Sequence, residues 1–218
     1  KYWSPLYNAS SSVTEVYEAA DAKLSADGWI VGRKTMAEYG ADVVEEKEPM
    51  EGHKTMQTNT FIGKREGRPL AVVFDIQGRL HYKSPTLPSG EHIVAVLGSH
   101  VTRAYQKELE EIGVSYIMRT PGSKLEETQS ALKHLEHDFN VKHMLLEGGA
   151  ITCGNFLQMG LVDELSMIVY PGLDGESDHP SVIECQGVVE PLKKNRLELI
   201  DCETIGSGYV WLRYHIHR

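Results

Sequence analysis

Apolar positions along the chain change their spacing several times, and each change predicts an element. Val13, Val16, Tyr17, Ala20 and Leu24 keep to one helical face behind Ser12-x-x-Glu15, a spacing with the form of a capping box. A helix is therefore expected to end near Asp27-Gly28. Trp29-Ile30-Val31 reads as a short buried strand that runs into Gly32-Arg33-Lys34-Thr35, with a short helix over 36–39 closed by Gly40. Leu70-Ala71-Val72-Val73-Phe74 and His92-Ile93-Val94-Ala95-Val96-Leu97 are apolar on both faces, as internal strands of a covered sheet must be. A turn-rich connection over 78–90 separates them. Val101, Tyr105, Leu109 and Ile112 then share a helix face, 114–118 forms the next strand, and Ser123-x-x-Glu126 caps a helix whose Leu125, Leu132 and Leu135 face inward. A strand over 142–146 ends in Glu147, followed by Gly148-Gly149 and another helix start.

Strands alternating with helices in this order imply right-handed crossovers in a mainly parallel sheet. The last part of the chain changes style. A strand over 164–170 stops at Pro171-Gly172, and 196–203 is expected to pair with 208–217 through Ile205-Gly206-Ser207-Gly208. There Val210, Leu212, Tyr214 and Ile216 alternate with Trp211, Arg213 and His215, which argues for an antiparallel hairpin completing one edge of the sheet. Residues 41–68 are polar and weakly periodic, and read as a surface excursion beside the site or as an insertion without a role.

A chain of 218 residues fits a single α/β domain over 1–218. Its net charge of -9 disfavours nucleic acid or an anionic membrane as partner, though an anionic small molecule needs only a few local donors. Cys153, Cys185 and Cys202 lack C-x-x-C spacing, so neither a disulfide framework nor a zinc cage is expected. With no apolar run near the roughly 20 residues that span a bilayer and no secretory leader, a reducing cytoplasm is the expected location.

Ligands of open α/β sheets bind beyond the carboxyl ends of the strands. Three such ends carry suitable chemistry here: Gly32-Arg33-Lys34-Thr35 with cations and a hydroxyl, Gly98-Ser99, and Glu147-Gly148-Gly149-Ala150 with a glycine turn at a helix start. Together they suit a ligand with several phosphates. Other candidates read more simply. His134 and His137 lack the spacing of a metal pair, His215 and His217 share one strand face, Asp163-Glu164 suits a structural role, and Cys153 in a first helical turn suits packing. The acidic turn 174–178 lacks EF-hand spacing, no metal site is expected, and no nucleophile elbow or phosphate loop is present.

The run Leu146-Glu147-Gly148-Gly149-Ala150, then Phe156-Leu157, then Gly160-Leu161-Val162-Asp163-Glu164-Leu165 resembles the signature of the pyrimidine reductases of riboflavin biosynthesis, whose fold is that of dihydrofolate reductase. Gly32-Arg33-Lys34-Thr35 separately resembles the turn by which dihydrofolate reductases hold the phosphates of NADPH. The likeness covers about 28 to 216 and implies a three-layer sandwich, a mainly parallel central sheet with antiparallel C-terminal edge strands. It implies NADPH contacts at Gly32, Thr35 and Ser99, and at Gly148, Gly149, Ala150, Ile151, Thr152 and Asn155 around the pyrophosphate. Arg33 suits the 2′-phosphate, and Glu147 matches a carboxylate that faces substrate. Two departures fall on the substrate side. Thr35 is followed by Met36-Ala37-Glu38-Tyr39 instead of an Asp-x-Pro segment, and the family's first strand, with its Ser-Leu-Asp-Gly-like turn, is missing or upstream of Lys1.

The resulting expectation is an NADPH-dependent reductase of a small heterocyclic or ribosylamino-pyrimidine-like substrate, resembling 5-amino-6-(5-phosphoribosylamino)uracil reductase. The rival readings are dihydrofolate reductase proper and a non-catalytic nucleotide-binding module. The C-terminal hairpin, an edge that needs protection, is expected to make a homodimer.

Overall fold

The computed structural model describes residues 11–40, 43–52, 60–173, 181–185, 195–206 and 208–218. In chain order the elements are α1 (Ser11–Leu24), β1 (Gly28–Gly32), α2 (Arg33–Tyr39), β2 (Val43–Glu45), β3 (Leu70–Phe74), β4 (Leu80–Tyr82), β5 (His92–Leu97), α3 (Arg103–Ile112), β6 (Ser115–Met118), α4 (Lys124–Phe139), β7 (Leu145–Gly148), α5 (Ala150–Gln158), β8 (Glu164–Val169), β9 (Arg196–Ile205) and β10 (Tyr209–His217). They fall into two compact units: a middle unit, Ala26–Gly148, and a terminal unit made of Lys1–Ser25 and Gly149–Arg218.

The middle unit holds a five-stranded sheet in the order β6-β5-β3-β1-β7, every neighbouring pair parallel. Val31, Ala71, Val73, Ile93, Ala95, Leu97, Tyr116 and Met118 lie on one face and pack with Met36 of α2 and with Tyr105 and Leu109 of α3. The alternate residues Ile30, Leu70, Val72, Val94, Val96 and Ile117 are buried as well. Apolar side chains on both faces are what a parallel sheet under crossover helices requires, so these strands read as continuous apolar runs. The helices are punctuated as their sequences dictate. The Ser123 hydroxyl accepts from Glu126 N–H and the Glu126 carboxylate accepts in return, completing the expected capping box of α4. In α3, Thr102 caps the start and Gly113, at φ 89°, ends the helix in the left-handed region.

Several boundaries move for identifiable reasons. The strand expected over 142–146 begins at Leu145, because Lys142 and His143 donate their N–H groups to the Asp27 carboxylate at 2.7 and 3.0 Å while the His143 carbonyl accepts from Asp27 N–H. Those two bonds hold the Asp27 carboxyl below its ordinary range. The polar stretch 41–68 contains a strand after all. β2 pairs antiparallel with β4, a partner found only in three dimensions, and three residues are too few to show a period. Further on, Phe61 bridges to Tyr116 of β6. The helix expected over 36–39 starts at Arg33, directly after β1.

In the terminal unit β8-β10-β9 form an antiparallel sheet of their own. Trp211 is its most deeply buried large side chain, packed with Tyr209, Ile205 and Ile168 against Val16 and Ala20 of α1, and its indole N–H donates to Ser166 Oγ at 2.8 Å. The alternation in β10 names two faces without saying which is buried; Trp211 is buried on one, while on the other Val210 and Leu212 are half-buried and Ile216 is buried. Of the remaining expectations, the Ser12 capping box rests on a side chain outside the described ones, and the acidic turn 174–178 lies outside the described residues.

Candidate functional site

The order of the parallel sheet locates a switch point. The chain passes from β1 to β3, β5 and β6 in one direction, then crosses back to lay β7 on the opposite side of β1. Loops leaving the carboxyl ends of β1 and β7 therefore diverge, and such a divergence opens the crevice in which α/β sheets bind ligands. The residues at this point are Gly32 of β1 with Arg33 opening α2, and Glu147-Gly148 on β7, in two of the three stretches singled out by chemistry alone.

The pairing between these strands is irregular at the decisive residue. Ile30 is opposite Leu146, but Val31 is opposite Gly148, so Glu147 is the extra residue of a bulge. A bulge breaks the strict alternation of a strand and re-aims the side chain it carries. It leaves Glu147 half-buried at the end of β7. Gly148 follows with φ 137°, a conformation that side chains rarely adopt, and a Cβ placed there meets nothing within 4 Å. The glycine is thus required by its backbone angle, with no atom crowding the position a Cβ would take.

Ser99 lies at the end of β5, two strands from β1, hence on the order of 10 Å across the rim at the usual strand spacing. Before it, Gly98 donates its N–H to the Ile76 carbonyl at 3.0 Å and is packed so tightly that a Cβ would stand 2.6 Å from that oxygen. Gly32 and Ser99 therefore suit opposite ends of one elongated ligand better than a compact one. Thr35 lies in the first turn of α2, half-buried.

In the terminal unit Gly149 is the N-cap residue of α5, with extended backbone and no side-chain cap. Its carbonyl accepts from Cys153 N–H, and Ala150 is buried with its carbonyl taking Glu184 N–H at 3.0 Å. Ile151 is exposed, while Thr152 and Asn155 are half-buried. A helix start presents backbone N–H groups and partial positive charge, and here the N-cap glycine has no side chain with which to accept from them. Cys153 has no activated thiol, since burial raises its pKa.

Residues that sequence reasoning missed surround the same rim. Asp75, directly after β3, is fully buried; its carboxylate accepts the N–H groups of Arg79 and Leu80 at 2.7 and 2.9 Å. Burial raises its pKa, opposed first by those two bonds and then by the Arg33 charge. Arg33 forms an ion pair with Glu45 of β2, and Arg79 Nη2 lies 3.3 Å from the same carboxylate oxygen. At the end of β6, buried Arg119 pairs with Glu127, and desolvation lowers its pKa. The signal for Asp75 was present, for it follows an apolar run as Glu147 does. A cavity of about 630 Å³ opens beside β2, lined by Glu45, Glu46, Lys47, Glu48, Met50 and His81.

Two alternative chemistries find little footing. Thr60, His134 and Asp138 cluster, but the hydroxyl and the carboxylate both address His134 Nδ1, at 3.3 and 2.6 Å, whereas a hydrolytic relay uses both ring nitrogens. Among the described residues no group of three His, Cys, Asp or Glu is placed to hold a metal ion, and no helix is long and apolar enough to cross a membrane.

With this geometry in place, the likeness to known proteins is informative. The sequence profile described as the RibD C-terminal domain matches residues 11–211, a span that runs across both units. A 2,5-diamino-6-ribosylamino-4(3H)-pyrimidinone 5′-phosphate reductase of Archaeoglobus fulgidus is 26% identical over 145 residues, 66% of this chain and 62% of that protein. The enzyme of the same name from Methanothermobacter thermautotrophicus is 30% identical over 74 residues, 34% of each chain. The chain thus spans less than two thirds of the length of these curated relatives. Among solved structures, a pyrimidine reductase-like protein of Corynebacterium diphtheriae superposes with TM-score 0.58 at 20% identity, covering 88% of this chain and 77% of that one. Acinetobacter baumannii RibD gives 0.61 at 20% identity, covering 93% and 51%. At such identities the superpositions establish the fold, an α/β arrangement with a central parallel sheet and antiparallel strands after it.

Proposed function

The chain belongs to the RibD C-terminal domain family, and on that footing we propose that it is an NADPH-dependent reductase of a ribosylamino-pyrimidine phosphate or a closely similar heterocycle. The observation that carries the reading is the switch point between β1 and β7, where a bulge sets Glu147 beside Gly148 and opposite the end of β1 that leads into Arg33. The residues fit a dinucleotide. Gly148 borders open space, Gly98 permits close backbone packing, and Ser99 stands two strands away along the rim. When bound, NADPH supplies the hydride. The chain contributes position and electrostatics, which suffice when donor and acceptor are held about 3 to 3.5 Å apart with water excluded.

Gly32, Arg33, Thr35 and Ser99 are proposed to contact the cofactor from the middle unit. Gly148, Gly149, Ala150, Ile151, Thr152 and Asn155 are proposed to meet its pyrophosphate, each on its local geometry. Glu147 is proposed to orient substrate by accepting hydrogen bonds from ring or exocyclic N–H groups, which a carboxylate does strongly. Titration with NADPH and NADH, read by fluorescence and thermal shift, tests the cofactor assignment. Oxidation of NADPH in the presence of the pyrimidinone phosphate named for the relatives, with dihydrofolate as comparison, tests the substrate. Binding of NADPH and turnover of the pyrimidine alone are expected, whereas failure to bind either dinucleotide contradicts the reading.

A homodimer built on the terminal unit and a reducing cytoplasmic setting complete the proposal. Leu197, Leu199 and Ile200 on the edge strand β9 and Val169 on β8 are 48%, 54%, 47% and 43% exposed. Long apolar edges of this kind are normally covered. Light scattering of the wild type and of Leu199→Glu is expected to show a dimer and a monomer; a monomeric wild type contradicts the assembly.

A further inference from the structure

Two guanidinium groups in the middle unit share one carboxylate, and they are not held alike. Arg79 is fixed on several sides. Its Nε donates to the Glu46 carbonyl at 2.6 Å, its carbonyl accepts from Glu46 N–H at 2.9 Å, and its own N–H is held by buried Asp75. Glu45 is fixed by the β2–β4 ladder, opposite Leu80. Arg33 is different. Its buried Nη1 is set against the Glu45 carboxylate, its ion-pair partner, and makes no further hydrogen bond. The Arg33, Glu45 and Arg79 side chains keep 20%, 27% and 18% of their exposure, enough for an anion to reach them from solvent.

A guanidinium held through Nη1 by one carboxylate oxygen, just past the carboxyl end of β1, suits a phosphate, which accepts several N–H bonds where one carboxylate oxygen accepts few. The second cation has a matching use. If Glu45 leaves Arg33, Arg79 already stands 3.3 Å from it and keeps it neutralised, so the exchange strands no charge. We propose that Glu45 is the specificity-determining residue for a 2′-phosphorylated dinucleotide: it stands in for the 2′-phosphate on Arg33 in the free protein and passes to Arg79 when that phosphate arrives. This rests on the NADPH reading and adds to it a carboxylate that competes with the ligand. The exposed carboxylates of Glu46 and Glu48 on the adjacent cavity oppose an anion as well, but solvent and salt screen them.

The test uses adenosine 2′,5′-bisphosphate and adenosine 5′-monophosphate as probes in calorimetric titrations of the wild type, Glu45→Gln and Arg79→Gln. Removing the competitor in Glu45→Gln is expected to tighten the bisphosphate about tenfold, the worth of one charge-assisted hydrogen bond, and to leave the monophosphate within about twofold. Arg79→Gln leaves Glu45 no second cation and is expected to weaken the bisphosphate selectively. Equal changes for both probes, or none for either, overturn the assignment. Should Glu45→Gln fail to fold, shown by loss of its thermal transition, Arg79→Gln decides: without selective weakening, Glu45 has no such role. Failure of the wild type to bind NADPH or NADH removes the cofactor reading and this inference together. NADPH binding with an unchanged NADPH-to-NADH ratio in Glu45→Gln removes only the inference.

Discussion

The carboxyl ends of β3 and β7 look alike in sequence and differ in fate. Each is an apolar run closed by one carboxylate and a turn, Val73-Phe74-Asp75 in one case and Leu145-Leu146-Glu147 in the other. β3 is the middle strand of the sheet, flanked by β5 and β1 in regular register, and Asp75 is fully buried with Oδ2 accepting from both Arg79 and Leu80 N–H. β7 is an edge strand with a bulge, and Glu147 stays half-buried where the chain reverses its direction across the sheet. One carboxylate builds a turn, and the other, by the proposal above, orients substrate. Strand position and register decide this, and neither is a property of the local sequence.

Substitutions at the two ends sharpen the contrast, taken in order of expected effect on stability. Asp75→Ala leaves the buried Leu80 N–H and the Arg79 N–H without an acceptor and is expected to cost about 3 kcal/mol in chemical denaturation, while Asp75→Asn, which keeps an acceptor without a buried charge, costs about 1 kcal/mol. Equal losses for the two variants would break the assignment of Asp75 as an acceptor.

The sheet that carries both ends has its own pH limit. His92, at the start of β5, is fully buried and shares a hydrogen bond of 2.7 Å with Ser115 Oγ. Burial first, then the Arg65 and Arg68 charges, lower its pKa to about 4 from an ordinary 6.5. Below 6.5 the unfolded chain binds a proton that the folded chain refuses, so stability is full above 6.5 and falls as pH drops from there to about 4. A loss on the order of 3 kcal/mol across this window is expected by denaturant titration, and it should vanish in His92→Gln if the histidine is its source.

At β7 the expected effects on stability are smaller and those on function larger. Gly148→Ala adds a Cβ in open space, so its cost is the strain of φ 137°, roughly 1–2 kcal/mol, with a parallel loss of NADPH affinity. Glu147→Gln is expected to change stability by less than about 0.5 kcal/mol while lowering turnover of the pyrimidine substrate at least about tenfold. A large drop in melting temperature for Glu147→Gln would place it with Asp75 and erase the distinction.

What the sequence made legible follows the same division. β3 and β5 are visible because both faces of an internal parallel strand are buried, and α4 because its caps are local. The three glycine-bearing strand ends could be singled out as candidate phosphate sites from residue types alone. The β2–β4 pairing, the late start of β7 and the Glu147 bulge were hidden, because each depends on a partner distant in sequence: Tyr82, Asp27 and Ile30 to Val31 respectively. Asp75 and the Arg33–Glu45–Arg79 group escaped for the same reason. In the terminal unit, the alternation of β10 identified the strand and its antiparallel pairing but not its buried face, since the packing of Trp211 against α1 is a tertiary fact.

The central claim, that one dinucleotide lies along the carboxyl ends of this sheet, is tested most directly by backbone amide chemical shifts during titration with NADPH. The largest changes are expected at Gly32, Arg33, Ser99, Glu147 and Gly148, with the amino-terminal ends of the same strands unmoved. Saturable binding that leaves those five amides in place would contradict the account.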